Sequence, residues 1–98
     1  MREPAVYILA TKPYGTLYIG VTSDLVKRIW EHRNDAVEGF SKEYRVHRLV
    51  HFEQFRSTVE AIEREKELKK WRRAWKMALV EKANPDWRDL WPEMEISR

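Results

Sequence analysis

Ala5-Val6-Tyr7-Ile8-Leu9-Ala10 is a short apolar run rich in β-branched and aromatic residues, preceded by Pro4, and it predicts a strand covered on both faces. Lys12-Pro13-Tyr14-Gly15 places Pro second and Gly fourth in a type I turn, and Thr16 to Val21 resumes the strand pattern. The two runs therefore predict a β-hairpin. With its turn centred between Pro13 and Tyr14, Tyr7 lies opposite Gly20 and Leu9 opposite Tyr18. Both tyrosines then share a sheet face, and Gly20 leaves a gap beside them. A bulge at Gly15 would flip one strand and undo this arrangement.

The period then lengthens. Thr22-Ser23-Asp24 offers N-cap oxygens, and from about Asp24 to Asn34 a helix would carry Leu25 and Ile29 in one i,i+4 row and Val26 and Trp30 in the next, a core-facing stripe. Arg28 and His32 form a further row. They can approach one ligand from successive turns, although a solvated charged face explains the same spacing. Glu38 to Lys42 is a loop punctuated by Gly39, and Tyr44 to Phe55 reads as a third strand. His47 and His51 fall on one face of it, but no third ligand accompanies them, which favours structural roles over metal binding.

Ser57-Thr58-Val59-Glu60 is a capping box that starts a second helix. Around the helix axis, measured from Val59, Ile62 falls at about 300°, Glu65 at about 240°, Ala61 at about 200° and Leu68 at about 180°, so Glu65 lies inside the apolar arc. Glu60, Glu63 and Glu67 lie on the opposite, wet face. An inward carboxylate needs a partner, and an internal Arg or Lys and a bound cation are both open. Beyond Leu68 the apolar positions Trp71, Trp75, Ala78 and Leu79 drift to about 100 to 200°, which predicts a kink or a further helix. The helical pattern runs to about Lys82 and stops at Ala83-Asn84-Pro85, after which Trp87 and Trp91 tuck onto the body in a turn or short helix and the last residues fray.

Composition narrows the class. A chain of 98 residues, 43% apolar and 36% charged, suits one soluble domain, residues 1–98. Its longest apolar run is too short for a membrane span or a signal peptide, so the expected location is cytoplasmic, without membrane association. Without cysteine there is no thiolate nucleophile or thiolate metal site, and a metal would need oxygen or histidine ligands. Gly-rich phosphate loops, H-E-x-x-H helices and G-x-S-x-G elbows are absent from the sequence.

A net charge of +3 is only mildly basic, but its distribution is uneven: Arg64 to Lys76 holds seven Lys or Arg against two Glu, interleaved with Trp71 and Trp75. That block fits either a polyanion surface or a solvated helix face. Tyr14, Phe40 and Trp75 would stack on unpaired bases if exposed, or belong to the core if not.

Taken together, Ala5-Val6-Tyr7, then Leu17-Tyr18-Ile19-Gly20, Arg28 and His32 on a helix, and Glu65 within Arg64-Glu65-Lys66 resemble a GIY-YIG nuclease domain. The Gly39-Phe40-Ser41 loop, the strand Tyr44 to Phe55 and Asn84-Pro85-Asp86-Trp87 resemble the small stand-alone bacterial members of that superfamily. The first motif departs from Gly-Ile-Tyr but keeps its tyrosine. The resemblance implies an α+β fold, a three-stranded antiparallel sheet flanked by helices in the order β-β-α-β-α-α.

It also implies an endonuclease that hydrolyses DNA phosphodiesters to 5′-phosphate and 3′-hydroxyl ends with one Mg²⁺ or Mn²⁺ and low sequence specificity, in a setting of DNA repair or recombination. Glu65 would correspond to the metal-binding glutamate, Arg28 to the catalytic arginine, Tyr7 and Tyr18 to the motif tyrosines, His32 to a supporting residue and Asn84, more loosely, to a further site residue. The implied mechanism has Tyr18, or Tyr7 through a water, accept the proton of the attacking water, with Arg28 stabilising the phosphoryl charge. Arg33, Lys42, Arg45, Lys69, Lys70, Arg72 and Arg73 would contact phosphates, and the scissile phosphate would enter the gap at Gly20. Single-stranded, branched and duplex DNA all stay open as substrates, as does a protein partner directing cleavage. The rival reading is a non-catalytic nucleic-acid-binding module of the same fold.

Overall fold

The computed structural model describes residues 3–34 and 45–91. The elements run β1 (Ala5–Ala10), β2 (Leu17–Thr22), α1 (Leu25–Arg33), β3 (Arg48–Gln54), α2 (Thr58–Lys70) and α3 (Arg73–Ala83). The strands make one antiparallel sheet in the order β2-β1-β3, the α+β architecture expected. The loop at Glu38 to Lys42, Tyr44 and the residues after Trp91 lie outside the described residues.

β1 is central, and all six of its residues are buried because a helical layer covers each face. Ala5, Tyr7 and Leu9 pack with Leu25, Val26 and Ile29 of α1 and with Trp91. Val6, Ile8 and Ala10 pack with Ala61 and Leu68 of α2, Val80 of α3 and Trp87. Burying Ile8 on one side and Leu9 on the other contributes about 1.5–3 kcal/mol each, so a one-residue slip of β1 would exchange both sets at once.

The hairpin has the predicted register, Tyr7 opposite Gly20 and Leu9 opposite Tyr18. Its turn differs from the prediction. The Gly15 N–H donates to the Lys12 carbonyl at 2.9 Å, but Tyr14 has φ 61°, which makes the turn type II rather than type I. A left-handed tyrosine is costly, and tertiary contacts hold it: Arg73 donates to the Tyr14 and Gly15 carbonyls at 2.6 Å each, and the Tyr14 ring lies 4.8 Å from Trp87.

β3 is shorter than predicted. Arg45 has φ 55°, and regular pairing begins only at Arg48. A bulge between the Ile8 and Leu9 pairings leaves Val50 as an extra residue, so the period-two count that placed His47 with His51 does not apply, and His47 precedes the strand. The outer edge of β3 is covered by the later chain. Leu49 N–H donates to Asp89 Oδ1 at 3.2 Å, and Leu90 N–H donates to the Leu49 carbonyl at 2.8 Å.

Both predicted caps form: Asp24 accepts from the Lys27 N–H at 3.3 Å and Ser57 from the Glu60 N–H at 3.2 Å, each stabilising its helix by about 1 kcal/mol. The drift after Leu68 resolves as two helices, because Trp71 and Arg72 both adopt ψ 150°. Two apolar arcs are narrower than predicted. Trp30 on α1 and Val59 on α2 are exposed, and α2 buries only Ala61 and Leu68.

Candidate active site

Tyr7, Tyr18 and His32 meet on the α1 face of the sheet. Ring centroids are 6.2 Å apart for Tyr7 and Tyr18, 5.6 Å for Tyr7 and His32, and 5.3 Å for Tyr18 and His32. The hairpin register sets the first pair and the last turn of α1 delivers the histidine. Tyr7 and His32 are buried, and the Tyr7 hydroxyl and His32 Nε2 are hydrogen-bonded at 2.9 Å. Tyr18 is only half-buried.

Burial sets the charge states. Desolvation first, then the Tyr18 and Glu65 charges and a hydrogen bond to Tyr18, push the Tyr7 phenol well above the ordinary tyrosine value, with Arg28 opposing. Burial, reinforced by the Arg28 charge, lowers His32 to about 4, with Glu31 opposing. At neutral pH the cluster therefore holds a protonated phenol bonded to a neutral imidazole.

Arg28 lies at the rim. Its side chain is 40% exposed and 3.6 Å from Glu31, and it lines a groove of about 560 Å³ together with Thr22, Ser23, Asp24, Lys27 and Glu31. His32, one turn on, is buried beneath it. The expected joint approach of Arg28 and His32 to one ligand thus becomes a division of place, with Arg28 outside and His32 behind Tyr7. A second groove of about 250 Å³ opens along β2, lined by Leu17, Tyr18, Ile19, Lys69 and Lys76.

Glu65 is on α2, which packs along β1 and the edge strand β2. Its side chain is 17% exposed, against 54% for Glu67, as the wheel predicted. Lys69 Nζ lies 3.3 Å from its Oε2, so the free protein uses a surface lysine of the same helix as the cation. Among the described residues no three His, Asp or Glu side chains are grouped so as to hold a metal. A single hard oxygen donor with an ammonium as stand-in cation fits Mg²⁺ or Mn²⁺, ions that keep waters and take phosphate oxygens for most of their ligands. It does not fit a metal that needs an all-protein cage.

Several other predicted residues have structural employment. The expected gap at Gly20 is filled: a Cβ there would lie 2.4 Å from both Cζ and the hydroxyl oxygen of Tyr7, so no phosphate enters it. Asn84 is buried, donates to the Val50 and Arg88 carbonyls at 3.1 and 2.9 Å and accepts from the Arg88 N–H at 3.0 Å, which makes it a brace and removes it from substrate contact. Arg33 is paired with Asp89 at 2.5 Å beneath the Trp91 ring, and Arg73 holds the hairpin turn. Arg45, Lys70 and Arg72 are exposed, with Arg72 over Trp75 at 5.5 Å. Lys42 lies outside the described residues.

Two features escaped the sequence reading. His51 and Arg64 both bond Glu53, at 2.8 Å each, and the His51 bond, then Arg64, lowers the Glu53 carboxyl to about 2 against its burial. Arg64 also packs over Trp71 at 5.0 Å. Lys76 beside Tyr18 was the other omission, although it ends the basic block and that position could have singled it out.

A hairpin that pairs two tyrosines, a following helix with arginine and histidine, and a later helix with one half-buried glutamate define a GIY-YIG domain. The model of the GIY-YIG catalytic domain matches residues 3–78, and the chain belongs to the GIY-YIG nuclease family. Within that class it is similar to UPF0213 protein SSP2268 of Staphylococcus saprophyticus subsp. saprophyticus, 36% identical over 82% of this chain and 96% of the relative. It is also similar to a UPF0213 protein of Syntrophus aciditrophicus, 37% identical over 88% of this chain and 98% of the relative. No solved structure matches the chain significantly.

Proposed function

We propose that the chain is a metal-dependent endonuclease that hydrolyses DNA phosphodiester bonds to 5′-phosphate and 3′-hydroxyl ends. The observation that carries this reading is the Tyr7–Tyr18–His32 cluster, with Arg28 and Glu65 close enough for their charges to act on Tyr7. The structural roles of Asn84, Arg33 and Gly20 do not weaken it, since none supplies the chemistry.

Tyr18 is the phenol that faces a groove, so it takes the proton of the attacking water, while Tyr7 is the positioning residue. His32 and Tyr7 are locked by their bond, and the two rings pack against Tyr18 with centroids 5.3 and 6.2 Å from its own, which positions the Tyr18 side chain. Arg28, half-exposed over its groove, offers a fork of donors to the phosphoryl oxygens as they gain charge. Glu65 would hold one Mg²⁺ or Mn²⁺, which supplies Lewis-acid stabilisation of the leaving 3′-oxygen. Lys69, Lys70, Arg72 and Arg45 contact backbone phosphates, which gives affinity without base readout and hence low sequence specificity.

The test is incubation of the purified chain with labelled single-stranded, duplex and branched DNA in Mg²⁺ or Mn²⁺. Nicking that EDTA, Arg28→Ala and Glu65→Ala each abolish is the expected result. Nicking that survives Glu65→Ala would remove the metal assignment. DNA binding without nicking by the wild type would instead make the chain a nucleic-acid-binding module of the same fold.

A further inference from the structure

We infer that the groove along β2 is a subsite for an unpaired strand, with phosphates on Lys69 and Lys76 and a base stacked on the Trp75 indole. The inference rests on the nuclease reading and names its substrate class more closely: DNA with a single-stranded segment beside the cut.

Three aromatic side chains were candidates for stacking, and the structure separates two of them. Both are about half exposed, 51% for Tyr14 and 53% for Trp75, but Trp87 lies over the Tyr14 ring with centroids 4.8 Å apart at a 36° tilt, whereas Trp75 has no aromatic ring stacked on its face among the described residues. Trp75 is also held rigid: it meets Trp71 edge-on at 6.1 Å, and Arg72 lies 5.5 Å over its ring. An exposed, pre-ordered indole flanked by cations is poorly matched to a duplex, whose bases are stacked on one another, but it offers a platform to an extruded or unpaired base.

The groove along β2 favours the same occupant. Tyr18, the proposed proton acceptor, lines it together with two lysines, Lys69 from the end of α2 and Lys76 from the first turn of α3. Lys76 has no ion-pair partner among the described residues. At about 250 Å³ the groove has room for about one nucleotide. Trp75 projects about 100° from Lys76 around α3 and lies outside the groove lining, so a strand whose phosphate contacts Lys76 reaches the indole by passing over the edge of that helix.

The decisive experiment measures binding of the full chain in EDTA, where no cleavage occurs, to a fluorescein-labelled single strand and to a hairpin duplex of similar length. Trp75→Ala should weaken single-strand binding at least about fivefold while leaving duplex binding within about twofold, and Trp75→Phe should restore much of the loss. Lys76→Ala, which leaves the indole stack intact, should reduce the salt slope of single-strand binding by about 0.7. Equal losses on both DNAs, or wild-type behaviour of both variants while the wild type still nicks DNA, would overturn the subsite and spare the nuclease reading. A wild type that neither binds nor nicks DNA would overturn both, and the Trp75 surface would then belong to a protein partner.

Discussion

The Tyr7 phenol lies directly over Gly20: a β-carbon at Gly20 would sit 2.4 Å from both the ring Cζ and the hydroxyl oxygen. That contact steers the hydroxyl onto His32 Nε2, 2.9 Å away. The Tyr7 side chain is buried and hydrogen-bonded, so its tip cannot move aside cheaply. Gly20→Ala should therefore destabilise the fold by about 1–3 kcal/mol, the usual range for overpacking a filled core, and should break the Tyr7–His32 bond. Urea unfolding reads the first effect and the imidazole NMR signals of His32 read the second.

His32 makes stability depend on pH with a definite sign. Its imidazole is held neutral in the fold, at about 4, against an unfolded value of 6.5, so the unfolded chain gains the proton first as pH falls. The stabilisation is complete above 6.5 and is lost progressively between 6.5 and 4. The loss at pH 5 should be about 2 kcal/mol. Glu53, lowered to about 2 from 4.5, keeps its full contribution above 4.5 and loses it only below that value, so the two windows overlap only between 4.5 and 4 and pH 5 reads His32. Urea midpoints at pH 7.5 and pH 5 check this, and His32→Phe should flatten the interval.

Asn84 braces β3 against the chain that follows α3. Asn84→Asp would remove the two N–H donors that serve the Val50 and Arg88 carbonyls and place a charge against them. A loss of about 2–4 kcal/mol is expected, larger than for Asn84→Ala, while DNA affinity per folded molecule stays at the wild-type level. Thermal unfolding and anisotropy on the same samples separate the two quantities.

Lys69 competes for the carboxylate that a divalent ion would use. Lys69→Met removes the ammonium but keeps the helix, so Mn²⁺ should bind Glu65 several-fold more tightly in the absence of DNA, as read by electron paramagnetic resonance of free Mn²⁺. An unchanged Mn²⁺ affinity would show that the ion pair does not oppose the ion.

Local rules made much of this protein legible in its sequence. A turn centred between Pro13 and Tyr14 and a pleat of period two were enough to set Tyr7 against Gly20, and side-chain oxygens at Asp24 and Ser57 were enough to start two helices. The inward tilt of Glu65 followed from helical geometry alone. These depend on residues close in the chain, where the covalent geometry does the counting.

Tertiary structure decided the rest, because each remaining assignment depended on groups far apart in sequence. Asn84 left the site because its amide meets Val50, Arg33 because its partner is Asp89, and Tyr14 turned left-handed because Arg73 and Trp87 hold it there. Gly20 was the same case in reverse: the sequence placed an empty position beside Tyr7, and packing filled that space with the phenol itself. Spacing along the chain can say which residues share a face, but only the folded packing says which space between them is left for a ligand.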